Sequence, residues 1–206
     1  MRSFLIIILF FSISILSAQK LVKKSVLNDN ISLININTEN CFKVALETGK
    51  SNDILVEAKI EGEYQNDLSL RINEKGTSVF IDAGFNPNFK NPNDKLSAHK
   101  VISISLKITI PEHQNVHLYG KSSNVTVGGT YKNLNIVLSD GLCRLNHIKG
   151  KTVAKTQSGN IYLNSNEVLV TAESKYGEVN IGKTTKGNNI FDLSSITGNI
   201  QVIDTK

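Results

Sequence analysis

Apolar and polar residues alternate with a period of two through the second half of the chain, and the alternation itself returns at a fixed step. The segments KSSNVTV (121–127), SDGLCRL (139–145), QSGNIYL (157–163), KYGEVNI (175–181) and ITGNIQV (196–202) share one pattern. Gly141, Gly159, Gly177 and Gly198 mark it at spacings of 18, 18 and 21 residues, and Ser123 stands 18 residues before Gly141. Two positions after each mark lie Val125, Cys143, Ile161, Val179 and Ile200, and two further on lie Val127, Leu145, Leu163, Ile181 and Val202. A second pair of columns precedes the mark: Val116 and Leu118, Leu134 and Ile136, Thr152 and Ala154, Val170 and Ala172, Phe191 and Leu193. Such alternation lines one face of a strand, whereas on a helix the same columns would scatter around the axis. Units that repeat at a fixed period, none able to bury its apolar face alone, stack on their neighbours. The pattern predicts a single-stranded β-solenoid of about five rungs over 112–206, with two short strands per rung and a glycine-marked corner.

The first half carries strand patterns without the repeat. Candidate strands are Lys20–Leu27, Ile31–Ile36, Phe42–Leu46, Ile54–Ile60, Leu68–Ile72, Ser78–Asp82 and Lys100–Ile110, separated by turn-forming stretches such as NDN, ETGKSND and NEKG. The last alternates most clearly, with Ile102, Ile104, Leu106, Ile108 and Ile110 on one face, and Pro111 ends it. The fold class expected is all-β. Residues 19–111 are read as an N-terminal β-sheet region capping the solenoid, and one core continuous with 112–206 stays open, because composition does not change at the junction. GFNPNFKNPNDKLSAH (84–99) interrupts the pattern with two Asn-Pro pairs, and Phe85 and Phe89 make it a candidate ligand-contacting loop against the plainer reading of a surface loop. At the far end, Asn199–Ile203 is expected to form the outer edge, either blunted by Asp204 and Lys206, the favoured reading, or used to pair with a partner.

Residues 1–18 read as a secretory signal peptide: Arg2, then the apolar run FLIIILFFSISIL, then Ser17-Ala18 before a cut at Gln19. The run is short for a membrane span. The expectation is an exported protein with no stable transmembrane segment after cleavage, located in the periplasm, on the outer-membrane surface or outside the cell. Of 23 basic residues, loss of Arg2 leaves 22 against 18 acidic ones, a net charge of +4. That mild excess favours anionic polymers or surfaces, and no nucleic-acid motif accompanies it.

Chemistry-bearing residues are sparse. The outward column Arg144, Tyr162, Asn180 and Gln201 is the first candidate binding surface, and Phe85 with Phe89 the second. Lys155 and Glu173, one rung apart, are expected to make an exposed ion pair worth at most ~1 kcal/mol. Two cysteines in an exported chain raise a Cys41–Cys143 disulfide; two separate thiols with Cys143 buried are the favoured reading. His113 and His117 bracket a strand start, where four residues span about 13 Å, too far to share a metal. A calcium-filled roll would need GGxGxDxUx units, and here only Asp140 stands near a corner. No metal or cofactor is expected. A polysaccharide lyase or hydrolase is the competing function, and it needs carboxylates gathered on one face; Glu173, Glu178 and Asp192 fall in different outward columns.

The run LKITIPEHQNVHLYGKSSNVTVGG, followed by SDGLCRL, QSGNIYL, KYGEVNI and ITGNIQV, resembles the adhesin-like β-solenoid domains of bacterial envelope proteins, and the Ser-Ala-Gln junction is similar to those of Bacteroidetes exported proteins. The resemblance covers about residues 100–206 well and 20–99 loosely. It departs at Ser123-Asn124, where the family has Ser-Gly, and at the longer last loop GKTTKGNN (182–189). It implies a non-enzymatic adhesion or scaffold module that binds a glycan or an envelope protein through an extended polar face.

Overall fold

The computed structural model of the protein describes residues 20–27, 30–62, 64–89 and 102–203. The signal-peptide segment, Asp204, Lys206 and most of the 84–99 stretch lie outside the described residues. Every regular element described is a β-strand, as the alternation predicts.

Two long strands hold the fold together: β9 (Asn124–Leu138) and β10 (Leu142–Thr156). They pair in parallel at an offset of 18 residues, Val125 beside Cys143 and Ile136 beside Ala154. Each bends near its middle, where the register shifts between Asn146 and Ile148 and again between Lys149 and Lys151. Gly129 (φ 111°) and Gly150 (φ 109°) supply that bend, and a Cβ on Gly150 would fall 1.9 Å from the Tyr131 carbonyl oxygen. The front halves of β9 and β10 belong to one ladder of strands and the back halves to a second.

On the first ladder, β10 is followed by β11 (Asn160–Asn164), β15 (Ile200–Ile203) and β13 (Val179–Ile181). On the second, β8 (Gln114–Gly120) precedes β9, and β10 is followed by β14 (Asn189–Ser195) and then β12 (Val168–Ser174). The last two repeats therefore stack in reverse: Ile161 pairs with Ile200, which pairs with Val179. The repeat marked by Gly198 lies between those marked by Gly159 and Gly177. GKTTKGNN and the 21-residue last step give the chain the length to return one level and insert.

This order corrects two expectations. β15 is not an edge, because β11 and β13 flank it on either side. Lys155 pairs with Ser194, and Glu173 lies on the strand beyond it. Two strand spacings, about 9.6 Å, then separate Lys155 from Glu173, with Ser194 between them, where the expectation set them on adjacent rungs.

The corner glycines answer to the same stacking. A Cβ on Gly141, Gly159, Gly198 or Gly177 would lie 2.3, 2.6, 2.1 or 2.2 Å from a backbone oxygen of Ser123, Gly141, Gly159 or Gly198, respectively. Of the four, only Gly141 has a positive φ (94°), so close approach of the neighbouring corner, more than backbone strain, demands glycine. Ser123 departs from the pattern for a related reason. It is buried, and its Oγ donates to the carbonyls of both Thr38 and Cys41 at 2.7 Å.

Those two residues belong to a turn between β2 (Leu33–Asn37) and β3 (Lys43–Gly49), which continue the same ladders. Ile34 pairs with Val116 and Val44 with Val125, both in parallel. β6 (Ser78–Phe85) and β7 (Ile102–Pro111) extend them further, Val79 beside Ile34 and Leu106 beside Val44. Beyond them β4 (Asp53–Gly62), β5 (Leu68–Lys75) and β1 (Lys20–Leu27) finish this end with antiparallel pairing. Apolar side chains from both halves pack into one hydrophobic cluster, with Ile36, Val44, Ile108, Val127, Leu145, Ile161 and Leu193 fully buried. Each stabilises the fold by roughly 1.5–3 kcal/mol.

Cys41 and Cys143 are free and buried. β9 separates β10 from β3, which Cys41 just precedes, and two spacings of about 4.8 Å exceed the Cα separation a disulfide tolerates. Burial pushes both thiols from 9.0 up to about 12. The folded state thus binds these two protons more tightly than the unfolded chain. Their contribution to stability is full below pH 9.0 and is lost as pH rises toward about 12. Neither thiol should react with an aromatic disulfide reagent in the native protein, both should react in denaturant, and urea midpoints should fall once the pH passes 9.0. Fast labelling of Cys143 in the native state would contradict this burial.

Candidate functional site

The outward column expected on the first ladder exists, in a different order. Arg144 pairs with Tyr162, Tyr162 with Gln201 and Gln201 with Asn180. The Arg144 guanidinium carbon sits 5.8 Å from the centre of the Tyr162 ring, a cation–π contact that holds both side chains against the sheet. Arg144 and Asn180 are exposed, Tyr162 and Gln201 half-buried. The result is a polar file running across four strands, with its donors and acceptors turned to solvent.

The asparagines beside this file serve the fold. Asn160 Oδ1 accepts from the Asn199 backbone N–H at 2.8 Å, and Asn199 Oδ1 accepts from the Glu178 N–H at 2.9 Å. Asn164 Nδ2 donates to Asn146 Oδ1 at 2.9 Å. These amides tie each level to the next.

Phe85 and Phe89 stand elsewhere, at the end of β6 and in the turn after it. Their rings stack at 4.1 Å and 13°, and Tyr64 meets them edge-on at 6.1 and 5.3 Å. Both are half-buried, and Phe85 packs against the core, so the trio anchors the start of the 84–99 stretch. They lie on β6 and its turn, away from the strands that carry the Arg144 file.

Sequence reasoning passed over the outer face of the second ladder. Asn133, Asn135 and Val137 of β9 lie beside Lys151, Val153 and Lys155 of β10, and together they line a depression of about 440 Å³. Lys155 also borders a second hollow, of about 560 Å³, with Ser194, Glu173 and Lys175. The signal was present in the outward positions before each corner, where Asn of one repeat aligns with Lys of the next. With Ser194 beside it in place of Glu173, Lys155 is left facing solvent.

Glu173 and Asp192, expected in unrelated columns, come onto adjacent strands: Asp192 pairs with Thr171, diagonally across from Glu173. Both side chains are exposed. Among the described residues, no group of three or more His, Cys, Asp or Glu side chains is gathered to hold a metal ion, and no helix is long and apolar enough to cross a membrane.

No family model matches the chain, and no curated protein matches it in sequence. Among solved structures, it is similar to a "putative cell adhesion protein" from Clostridium sporogenes, with 16% identity and a TM-score of 0.63 over 91% of this chain and 100% of that one. A "putative adhesin" from Bacteroides fragilis aligns at 16% identity and a TM-score of 0.40, covering 91% of this chain and 99% of that one. A "putative lipid binding protein" from Parabacteroides distasonis aligns at 11% identity and 0.28, covering 89% and 97%. The first of these likenesses concerns the fold alone, and the other two are too distant to carry an argument.

Proposed function

We propose that this chain is an exported, non-enzymatic adhesin-like or scaffold protein of the bacterial envelope, which binds a glycan or an envelope protein through an extended polar face. The observation that carries this reading is the file Arg144–Tyr162–Gln201–Asn180, in register across four strands and open to solvent. A surface with one aromatic ring, one guanidinium and several amides at strand spacing suits many weak, repeated contacts to a polymer. The fold likeness to the C. sporogenes structure agrees with it. In this proposal residues 1–18 direct export, 19–111 form the N-terminal β region, and 112–206 coil as a β-solenoid with the last two turns interleaved. The protein then resides in the periplasm, on the outer-membrane surface or outside the cell.

The test is binding of the mature protein to immobilised neutral and acidic glycans and to envelope fractions, beside an Arg144→Ala/Tyr162→Ala double variant. Loss of roughly tenfold or more in affinity, with the melting temperature unchanged, supports the file as the binding surface. Equal binding by both proteins removes it. A polysaccharide lyase or hydrolase is the competing reading, and the adjacency of Glu173 and Asp192 is the one observation in its favour. New reducing ends or unsaturated products that vanish in Glu173→Gln would overturn the non-enzymatic reading.

A further inference from the structure

The two ends of the ladders are finished in different ways. At the end formed by β1 and β5, strand β1 turns Lys20 and Lys24 toward β5. Lys20 Nζ donates to the Leu68 carbonyl at 2.8 Å and Lys24 Nζ to the Leu70 carbonyl at 2.7 Å. Charged side chains turned in across a terminal strand are a device that keeps a sheet from pairing further. Among the described residues, the opposite end, formed by β12 and β13, turns no charged side chain inward. Its inward positions are Val170, Ala172, Val179 and Ile181.

The columns show that, among the described residues, nothing covers the apolar side chains at this end. Val125, Cys143, Ile161 and Ile200 are at most 1% exposed, yet Val179, in the same column, is 39% exposed. Val127, Leu145, Leu163 and Val202 are at most 2% exposed, and Ile181 beside them is 47% exposed. Leu169 on β12 is 56% exposed. Among the described residues, β12 pairs as a strand with β14 and β13 with β15. On the outer side of β12 the Thr185 carbonyl accepts from the Val168 N–H at 2.8 Å, and the free edge is left at 170–174 of β12 and along β13.

We infer that this end is a self-association surface, at which β12 and β13 of one copy pair edge to edge with β12 and β13 of a second copy. The geometry selects that occupant. β12 and β13 lie on opposite sides of the core and run in opposite directions, joined by the Gly177 corner. A two-fold axis between two such ends sets β12 antiparallel to its counterpart and β13 antiparallel to its own, in one operation. The edge groups of 170–174 and of β13 find partners, and Val179 and Ile181 are covered by their symmetry mates. A single strand from another protein would complete one edge and leave the other bare. Head-to-tail stacking would place the apolar end against Lys20 and Lys24. Charge permits the pairing, since Glu173 and Glu178 are balanced by Lys175 and Lys183 at this end. The closed, isologous arrangement stops at a dimer. Few strand residues take part, so the dimer is a weak one, of micromolar dissociation constant.

Sedimentation of the mature protein over a wide concentration range tests this, beside a Val179→Lys/Ile181→Lys variant. Both side chains are already exposed, so the variant folds, and an unchanged melting curve at low concentration checks that it does. The expected result is a reversible monomer–dimer equilibrium in the wild type and monomer alone in the variant. Amides of 170–174 and 179–181 should also gain exchange protection as wild-type concentration rises. A wild type that stays monomeric to its solubility limit overturns the inference, and so does a dimer that survives in the variant. Asn180 of the polar file lies on β13, so glycan binding is scored with the Arg144→Ala/Tyr162→Ala variant, whose positions on β10 and β11 stand three and two strands from this edge.

Discussion

Ile161→Asp is expected to abolish folding, while Tyr162→Ala, its sequence neighbour, is expected to cost less than about 1 kcal/mol. Ile161 is fully buried between Cys143 on one side and Ile200 on the other, midway along the first ladder. Replacing it removes roughly 2–3 kcal/mol of apolar burial. It also leaves a carboxylate with no cation in reach, which adds several kcal/mol or forces the group to take up a proton. The sum approaches the whole stability of a domain, about 5–15 kcal/mol. Tyr162 points the other way, and its loss removes little beyond the contact with Arg144. Circular dichroism and urea titration of the two variants would settle the matter. Similar behaviour of both would mean that the inward and outward faces are exchanged, since a slip of one residue turns over every side chain on a strand.

Truncation before Asn189 is expected to release far more than the residues it removes. Among the described residues, β14 and β15 are the strand partners of β12 and β13, so deleting the last repeat strands the one before it. Burial of Phe191, Leu193, Ile200 and Val202 goes with it, roughly 6–12 kcal/mol at 1.5–3 kcal/mol each. Hydrogen exchange in the shortened chain should show 168–181 unprotected and the amides of β11 weakened, with 33–49 and 102–145 still slow. Were the repeats stacked in chain order, the same cut would peel off an outermost layer and leave 168–181 protected. The two outcomes distinguish an interleaved end from a simple one.

Part of this architecture was legible because the code is local. Alternation within each segment named the inward residues, and their 18-residue recurrence named their partners in β9, β10 and β11. The repeat formed by β2 and β3 escaped notice for a physical reason. Its corner is built from Thr38 and Cys41 tied to Ser123, so it carries no glycine, and 81 residues separate Val44 from its partner Val125. Gly129 and Gly150 went unremarked because they bend the strands between marks, out of phase with the repeat. The candidate site was read in part as well. Arg144, Tyr162, Gln201 and Asn180 do share a file, but Phe85 and Phe89 stack on each other and meet Tyr64 edge-on, a contact that spacing cannot show.

The sequence by itself determined the class of structure, the face each side chain takes, the two isolated thiols as the favoured state, and most strand positions. These follow from period-two alternation and its recurrence, which depend on nearest neighbours in the chain. Only the tertiary structure decided the order of levels. The columns of the Gly177 and Gly198 repeats are equally apolar, so either could follow Gly159 without changing one inward residue. The choice rests on the reach of the 182–189 connection and on which repeat better fills the covered level. Phe191, Leu193, Ile200 and Val202 are buried there, while Val179 and Ile181 stand at the rim. From that one exchange follow the strand set between Lys155 and Glu173, the neighbouring carboxylates and the open edge.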